Sequence, residues 1–344
     1  MSPHSPTEAC WRRARVALLA ALTLAACGGG DAEPEATTSP DSGADVAEER
    51  DTADDGAADT EPPDAEPDTA DAFEPPDPET LPEYPGGDRP SPFVLPANYE
   101  PGRAWPLVIQ LHGFGVNAFL QDLMLRTGEL VDELGFILLT PEGTPDPDNE
   151  QFWNASDVCC NFYDADVDDV AYLNVLIDEA QTRWHVDPER IHVLGHSNGG
   201  FMTYRFACDA GERLAGVMSL AGDMALDPAS CDHPVNVLHV HGTADDVIYY
   251  EGGPFRGTPS PGARASAEAW AGINGCDGGW VEGARLDVSL AVEGAETRVE
   301  AQSGCASGAS VALWTIEGGV HVPAVDAGFM REVLGVLLAQ RRLP

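Results

Sequence analysis

Short apolar runs alternate with stretches of helical periodicity between residues 105 and 316. Leu107-Val108-Ile109-Gln110-Leu111 and Phe136-Ile137-Leu138-Leu139 predict strands, with a helix over 118–134 between them. Apolar positions Val170, Leu173, Ile177, Ala180 and Trp184 predict a second helix. A strand over 191–194 follows, then a helix over 200–208, and strands over 217–220, 235–240 and 311–316. Strands joined through helices call for parallel crossovers, so the pattern predicts an α/β fold: a doubly wound, mostly parallel sheet with helices on both faces. In such sheets the chemistry lies at the carboxyl ends of the strands.

The N-terminal 85 residues break this pattern twice. Arg12, Arg13 and Arg15 precede an apolar run over 16–26, the layout of a secretory signal peptide (residues 1–26) and too short for a permanent membrane span. The run ends Leu24-Ala25-Ala26-Cys27, which resembles a bacterial lipobox, so Cys27 is expected to be lipidated. Gly28, not an acidic residue, follows it, which favours the outer membrane in a cell that has two. Residues 27–85 are dominated by Asp, Glu, Ala, Pro and Thr, with too little apolar surface to offset chain entropy, and read as a disordered tether. Between Asp31 and Asp88 stand 21 acidic residues and one basic residue, half of the chain's net charge of -40.

The remainder, 86–344, suits one domain. It is acidic as well, which argues against nucleic acid and polyanionic partners and leaves the membrane contact to the lipid anchor. Its six cysteines in an exported chain read as disulfides. Cys276 with Cys305, flanking a polar Gly-rich excursion, is the first pairing expected, and Cys208 with Cys231 the second. Cys159-Cys160 is either a vicinal bridge or two half-cystines with separate partners. No histidines stand at ligand spacing around these cysteines, so neither metal nor cofactor is expected.

Gly195-His196-Ser197-Asn198-Gly199 joins a predicted strand to a predicted helix, the setting of a nucleophile elbow with Ser197 at its apex. Three other strand ends carry His112-Gly113-Phe114-Gly115, His241-Gly242-Thr243-Ala244-Asp245-Asp246 and Glu317-Gly318-Gly319-Val320-His321. A serine hydroxyl becomes nucleophilic when an imidazole takes its proton, and that imidazole needs a carboxylate to hold one tautomer. Ser197, an Asp and His321 supply these parts in the chain order of α/β-hydrolases. Asp245 is preferred over its neighbour Asp246 because it lies at the tight turn. The backbone N–H groups of Phe114 and Asn198 are the expected oxyanion donors, with both side chains as pocket walls.

His112 and His241 are expected to be buried turn residues, and His196 to point away from the reaction. His185, His192, His233 and His239 show no partner pattern. The cluster Asp164, Asp166, Asp168 and Asp169 reads as a helix N-cap, lacking the spacing of a calcium loop. Trp153, Phe201, Tyr249 and Tyr250 are candidate aromatics for a substrate cleft.

With these residues placed, the domain resembles the exported esterases grouped with polyhydroxybutyrate depolymerases and feruloyl esterases, the LpqC-like family. The matching stretches include Pro106 to Gly113, Phe152-Trp153-Asn154-Ala155, the Cys159-Cys160 pair, Val167 to Leu173, Gly195 to Met202, His241 to Asp245 and Gly318 to His321. The resemblance implies the same triad, Ser197, Asp245 and His321, and an α/β-hydrolase fold. Many relatives follow the histidine with Thr-Trp-Pro, where this chain has Val322-Pro323-Ala324 and so lacks that aromatic wall. The expectation is an exported, surface-anchored, monomeric serine carboxylesterase acting on short acyl, hydroxycinnamoyl or hydroxyalkanoate oligomer esters. A serine peptidase on the same fold and a non-catalytic binding lipoprotein are the alternatives.

Overall fold

The computed structural model describes residues 73–344. The expected signal segment, Cys27 and most of the expected tether lie outside the described residues. In chain order the elements are β1 (Phe93–Val94), β2 (Trp105–Leu111), α1 (Ala118–Leu125), α2 (Val131–Leu134), β3 (Ile137–Leu139), β4 (Thr144–Pro145), β5 (Gln151–Phe152), α3 (Asp169–Arg183), β6 (Val186–His196), α4 (Asn198–Ala210), β7 (Gly216–Leu220) and β8 (Asn236–Gly242). They continue with β9 (Gly253–Phe255), β10 (Thr258–Ser260), α5 (Ala263–Ile273), β11 (Trp280–Glu282), β12 (Thr297–Gln302), β13 (Val311–Ile316) and α6 (Phe329–Leu338).

Nine strands form one sheet in the order β1-β3-β2-β6-β7-β8-β13-β12-β11. From β3 to β13 every pairing is parallel, which brings the carboxyl ends of β2, β6, β8 and β13 to one edge. Alternation along the strands divides the core. Leu107, Ile109, Ile191, Val193 and Leu313 face α3, α4 and α5, where Leu173, Ile177, Phe206 and Trp270 cover them. Val108, Leu138, Leu194, Leu238 and Trp314 face α1, α2 and α6, against Leu125, Val131, Val333 and Leu337. Helices on both faces of a mostly parallel sheet are the expected doubly wound arrangement.

Two expectations are corrected. The helix over 118–134 is broken, because Arg126 adopts a left-handed conformation (φ 60°) and a 3-10 turn, Thr127–Leu130, precedes α2. Asp122 stabilises the break by accepting from Gly128 N–H at 2.9 Å. The polar excursion between Cys276 and Cys305 contains β11 and β12, which extend the sheet antiparallel to β13. β12 carries Arg298 and Glu300, the latter buried in ion pairs with Arg264 and Arg298, so it lacks the apolar run that marks a central parallel strand.

Disulfides join Cys208 to Cys231, Cys276 to Cys305 and Cys159 to Cys160, the last across a cis peptide bond. Asp168 caps α3 by accepting from Ala171 N–H at 2.8 Å, and Asp169 is buried against Arg89 at 2.8 Å. Contacts with the domain also extend N-terminal of Gly86. Arg183 donates to the Pro82 carbonyl at 2.8 Å, and Phe73 stacks on His185 with ring centroids 5.1 Å apart.

His192 lies in the interior of β6 with neither ring nitrogen hydrogen-bonded to protein. Burial, aided by Arg190, pushes its pKa down to about 3, so the folded chain excludes a proton that the unfolded chain binds below 6.5. Its contribution to stability is therefore present above 6.5 and lost as the pH falls toward 3. Urea unfolding at pH 7 and pH 5 should show His192→Leu losing about 2 kcal/mol less than the parent chain over that interval.

Candidate active site

Ser197 sits between β6 and α4 with φ 55° and ψ -118°, a left-handed backbone that a non-glycine residue adopts only when its surroundings enforce it. They do so through bonds from Ser197 N–H to the Leu220 carbonyl (2.8 Å) and from Phe201 N–H to the Ser197 carbonyl (2.9 Å). The turn also needs its glycines. A Cβ at Gly195 would lie 2.3 Å from the Gly199 carbonyl oxygen, and one at Gly199 would lie 2.4 Å from that of Leu111. Strand β6, helix α4 and strand β2 thus touch backbone to backbone beneath the serine.

The loops after β8 and β13 are zipped together in the same manner. Ala244 N–H donates to the Gly319 carbonyl (2.8 Å), Gly318 N–H to Thr243 Oγ1 (2.8 Å), and a Cβ at Gly242 would meet the Gly319 oxygen at 2.2 Å. This contact brings Asp245 and His321 to each other. His321 Nδ1 lies 2.8 Å from Asp245 Oδ2, and His321 Nε2 lies 2.9 Å from Ser197 Oγ. Asp245 Oδ1 accepts from the backbone N–H groups of Val247 and Ile248, each at 2.9 Å. Burial raises the pKa of Asp245, but the His321 charge and hydrogen bonds from His241 and His321 outweigh it and hold the carboxyl well below the usual range. Because Asp245 only accepts, His321 Nδ1 carries the proton and Nε2 faces the hydroxyl as acceptor. Asp246 is exposed, whereas Asp245 is buried.

Gly113, in the turn after β2, packs against Ser197, since a Cβ there would lie 3.5 Å from the serine Cβ. The Phe114 backbone follows directly, and Asn198 contributes the first N–H of α4, one of those without a partner inside the helix. The Asn198 side chain is not the pocket wall expected. It is fully buried and clamps Trp153, accepting from its N–H at 2.7 Å and donating to its carbonyl at 2.9 Å. Trp153 and Phe201 likewise belong to the core beside α4, and the Trp153 indole N–H donates to the His112 carbonyl at 3.0 Å. Of the four aromatics expected in the cleft, Tyr249 alone is exposed, at 47 %. Tyr250 is buried and shares a hydrogen bond with Thr315.

His112 is the buried turn residue expected. Its Nε2 accepts from Gly143 N–H at 2.8 Å, its Nδ1 donates to the Gly113 carbonyl, and burial pushes its pKa down to about 4. His196 does not point away as expected, because its Nε2 donates to the His321 carbonyl at 2.9 Å and so anchors the loop that carries His321. His239 and His241 also have partners that the sequence reading missed. Their i, i+2 spacing on one strand, which puts both on one face, was the available signal. Asp223, His239 and His241 place ligand-type atoms within 4.8 Å of one another. The two imidazoles, however, spend their facing nitrogens on a mutual contact of 3.1 Å.

The profile of the Phospholipase/Carboxylesterase family matches residues 99–254, a span that includes β2, the elbow and Asp245. The described domain has the α/β-hydrolase fold. Feruloyl esterase B of Piromyces equi is 29 % identical to this chain over 237 residues, covering 66 % of this chain and 41 % of that protein. A bifunctional acetylxylan esterase/xylanase of Neocallimastix patriciarum is 25 % identical over 166 residues, covering 48 % and 23 %. The chain thus spans less than half the length of either relative. Among solved structures, the acetyl xylan esterase from Aspergillus awamori aligns with a TM-score of 0.49 at 15 % identity, over 71 % of this chain and 93 % of that one. Among the described residues, no helix is long and apolar enough to cross a membrane.

Gly242→Ala tests the zipped loops. The added methyl would part them, so labelling of Ser197 by a fluorophosphonate should slow at least about tenfold, while urea unfolding registers an overpacking cost of about 1–3 kcal/mol.

Proposed function

We propose that this α/β-hydrolase is a serine carboxylesterase that works through an acyl-enzyme. The observation that carries the reading is the continuous contact from Ser197 Oγ through the His321 ring to Asp245 Oδ2, at 2.9 and 2.8 Å, on a serine held in an elbow. Similarity to proteins named as feruloyl and acetylxylan esterases supports ester bonds as the target.

His321 Nε2 takes the Ser197 proton as Oγ attacks the ester carbonyl carbon. The oxyanion that forms is assigned to the backbone N–H groups of Phe114 and Asn198, main-chain donors of the kind that stabilise a developing charge. The proton on His321 passes to the departing alkoxide, which leaves as the alcohol. Water then attacks the acyl-serine with His321 again as base, and collapse releases the acid and restores the Ser197 hydroxyl. Asp245 keeps Nδ1 protonated throughout and stabilises the imidazolium that forms twice per cycle. The mechanism calls on no metal and no cofactor.

Short acyl, hydroxycinnamoyl and soluble hydroxyalkanoate oligomer esters are the proposed substrates. The protein is proposed to be monomeric, exported and held to the membrane by lipid on Cys27 alone. A panel of p-nitrophenyl and hydroxycinnamoyl esters graded by acyl length tests the reading. Turnover of at least one ester is expected, with Ser197→Ala lowering kcat by about 10⁴-fold or more. Equal turnover by the variant would exclude Ser197 as nucleophile.

A further inference from the structure

Asp245 serves two imidazoles, and only one of them belongs to the triad. His241 Nε2 lies 3.1 Å from Asp245 Oδ2, the oxygen that His321 uses, and 2.8 Å from the Ile248 carbonyl. Both neighbours only accept, so His241 Nε2 carries a proton whatever the state of the rest of the ring. On its other side, His241 Nδ1 meets His239 Nε2 at 3.1 Å, and His239 Nδ1 meets the Tyr204 hydroxyl at 2.8 Å. The chain Tyr204, His239, His241, Asp245 is buried throughout and runs from α4 through β8 to the loop after it.

Resting on the esterase reading above, we propose that His241 is a positioning residue for Asp245: it donates to the carboxylate oxygen shared with His321 and thereby tempers how strongly that oxygen holds the His321 proton.

When His241 is neutral, every proton along the chain has a place. Tyr204 donates to His239, His239 Nε2–H to His241 Nδ1, and His241 Nε2–H to Asp245. When His241 is protonated, the first two bonds reverse and the last persists. Burial disfavours its charge, but the bond to Asp245, the charges of Asp245 and Asp223 and the Ile248 carbonyl raise its pKa above the ordinary value. The groups facing it are few. Asp223 comes from the loop after β7, where its Oδ2 accepts from Ser260 Oγ and Gly262 N–H; Tyr250 lies edge-on at 5.8 Å; His196 and His321 stand beyond Asp245. With His241 donating, part of the negative charge on Oδ2 is neutralised. The bond from His321 Nδ1 is correspondingly weaker than it would be to an oxygen that His321 had to itself.

Replacing His241 should therefore move the acid limb of the kcat/KM profile to higher pH. A loosened triad, in which His321 loses Asp245 altogether, would move it the other way. His241→Asn keeps a polar partner for His239 but is too short to reach Asp245, whereas the amide of His241→Gln reaches about as far as Nε2. In the full chain, Asn is expected to shift the limb upward by about one unit and to lower kcat about tenfold with KM little changed. Gln should retain a larger share of kcat than Asn. Tyr204→Phe breaks the same chain at its far end, so it should lower Tm and leave the limb in place.

The ring titration of His321, followed by NMR in histidine-labelled chain, reads the same shift without turnover of any ester. Failure of the esterase reading would appear as absent turnover, and failure of this one as an unmoved His321 signal. An unmoved limb and signal in the Asn variant would overturn the proposal. So would one equivalent of tightly held zinc in the purified chain, because a metal would claim the facing nitrogens of His239 and His241.

Discussion

Backbone touching backbone, without a side chain between, is the constraint on which the candidate site depends. Three such contacts, Gly195 on Gly199, Gly199 on Leu111 and Gly242 on Gly319, bring four strand ends within reach of one hydroxyl. Widening these approaches by the size of a methyl group would draw apart the loops that carry Ser197, Asp245 and His321. The glycines contribute no chemistry, yet they fix where Ser197, Asp245 and His321 stand.

Around this geometry the polar groups are arranged for fixity. Asp245 accepts four hydrogen bonds, two from backbone and two from imidazoles, so its carboxylate has neither rotational freedom nor a reason to take a proton. His196 fixes the His321 carbonyl and Asn198 fixes Trp153, so the residues on both sides of Ser197 brace the loops that face it. Preorganisation of this kind lowers the cost of meeting a developing charge, because little remains to be reoriented when the charge appears.

What could be read from the sequence follows from what each signal physically encodes. Apolar runs mark strands buried on two faces, and the six parallel strands were legible for that reason. Strands β11 and β12 were not, because they are short or, as with Thr297, Arg298 and Glu300 of β12, interrupted by polar residues whose hydrogen bonds and ion pairs only the fold supplies. The strand-end motifs announced Ser197, Asp245 and His321 because those residues need turns that only glycine permits. Depth has no such mark: Trp153 and Phe201 look like cleft aromatics on paper and lie in the core. His239 and His241 share a face by their spacing, but their partner Tyr204 comes from a helix that only the fold brings alongside.

The stacking of Phe73 on His185 has a mechanical consequence. His185 immediately precedes β6, and Ser197 immediately follows it, so the strand's 11 residues, roughly 35 Å of extended chain, separate the N-terminal segment's point of contact from the Ser197 hydroxyl. A chain held by its N-terminus would direct Ser197 away from its mooring, with the load carried by Arg183 and its grip on Pro82 and Tyr84. Tension on the leash would thus bear on the far end of the sheet and spare the zipped loops.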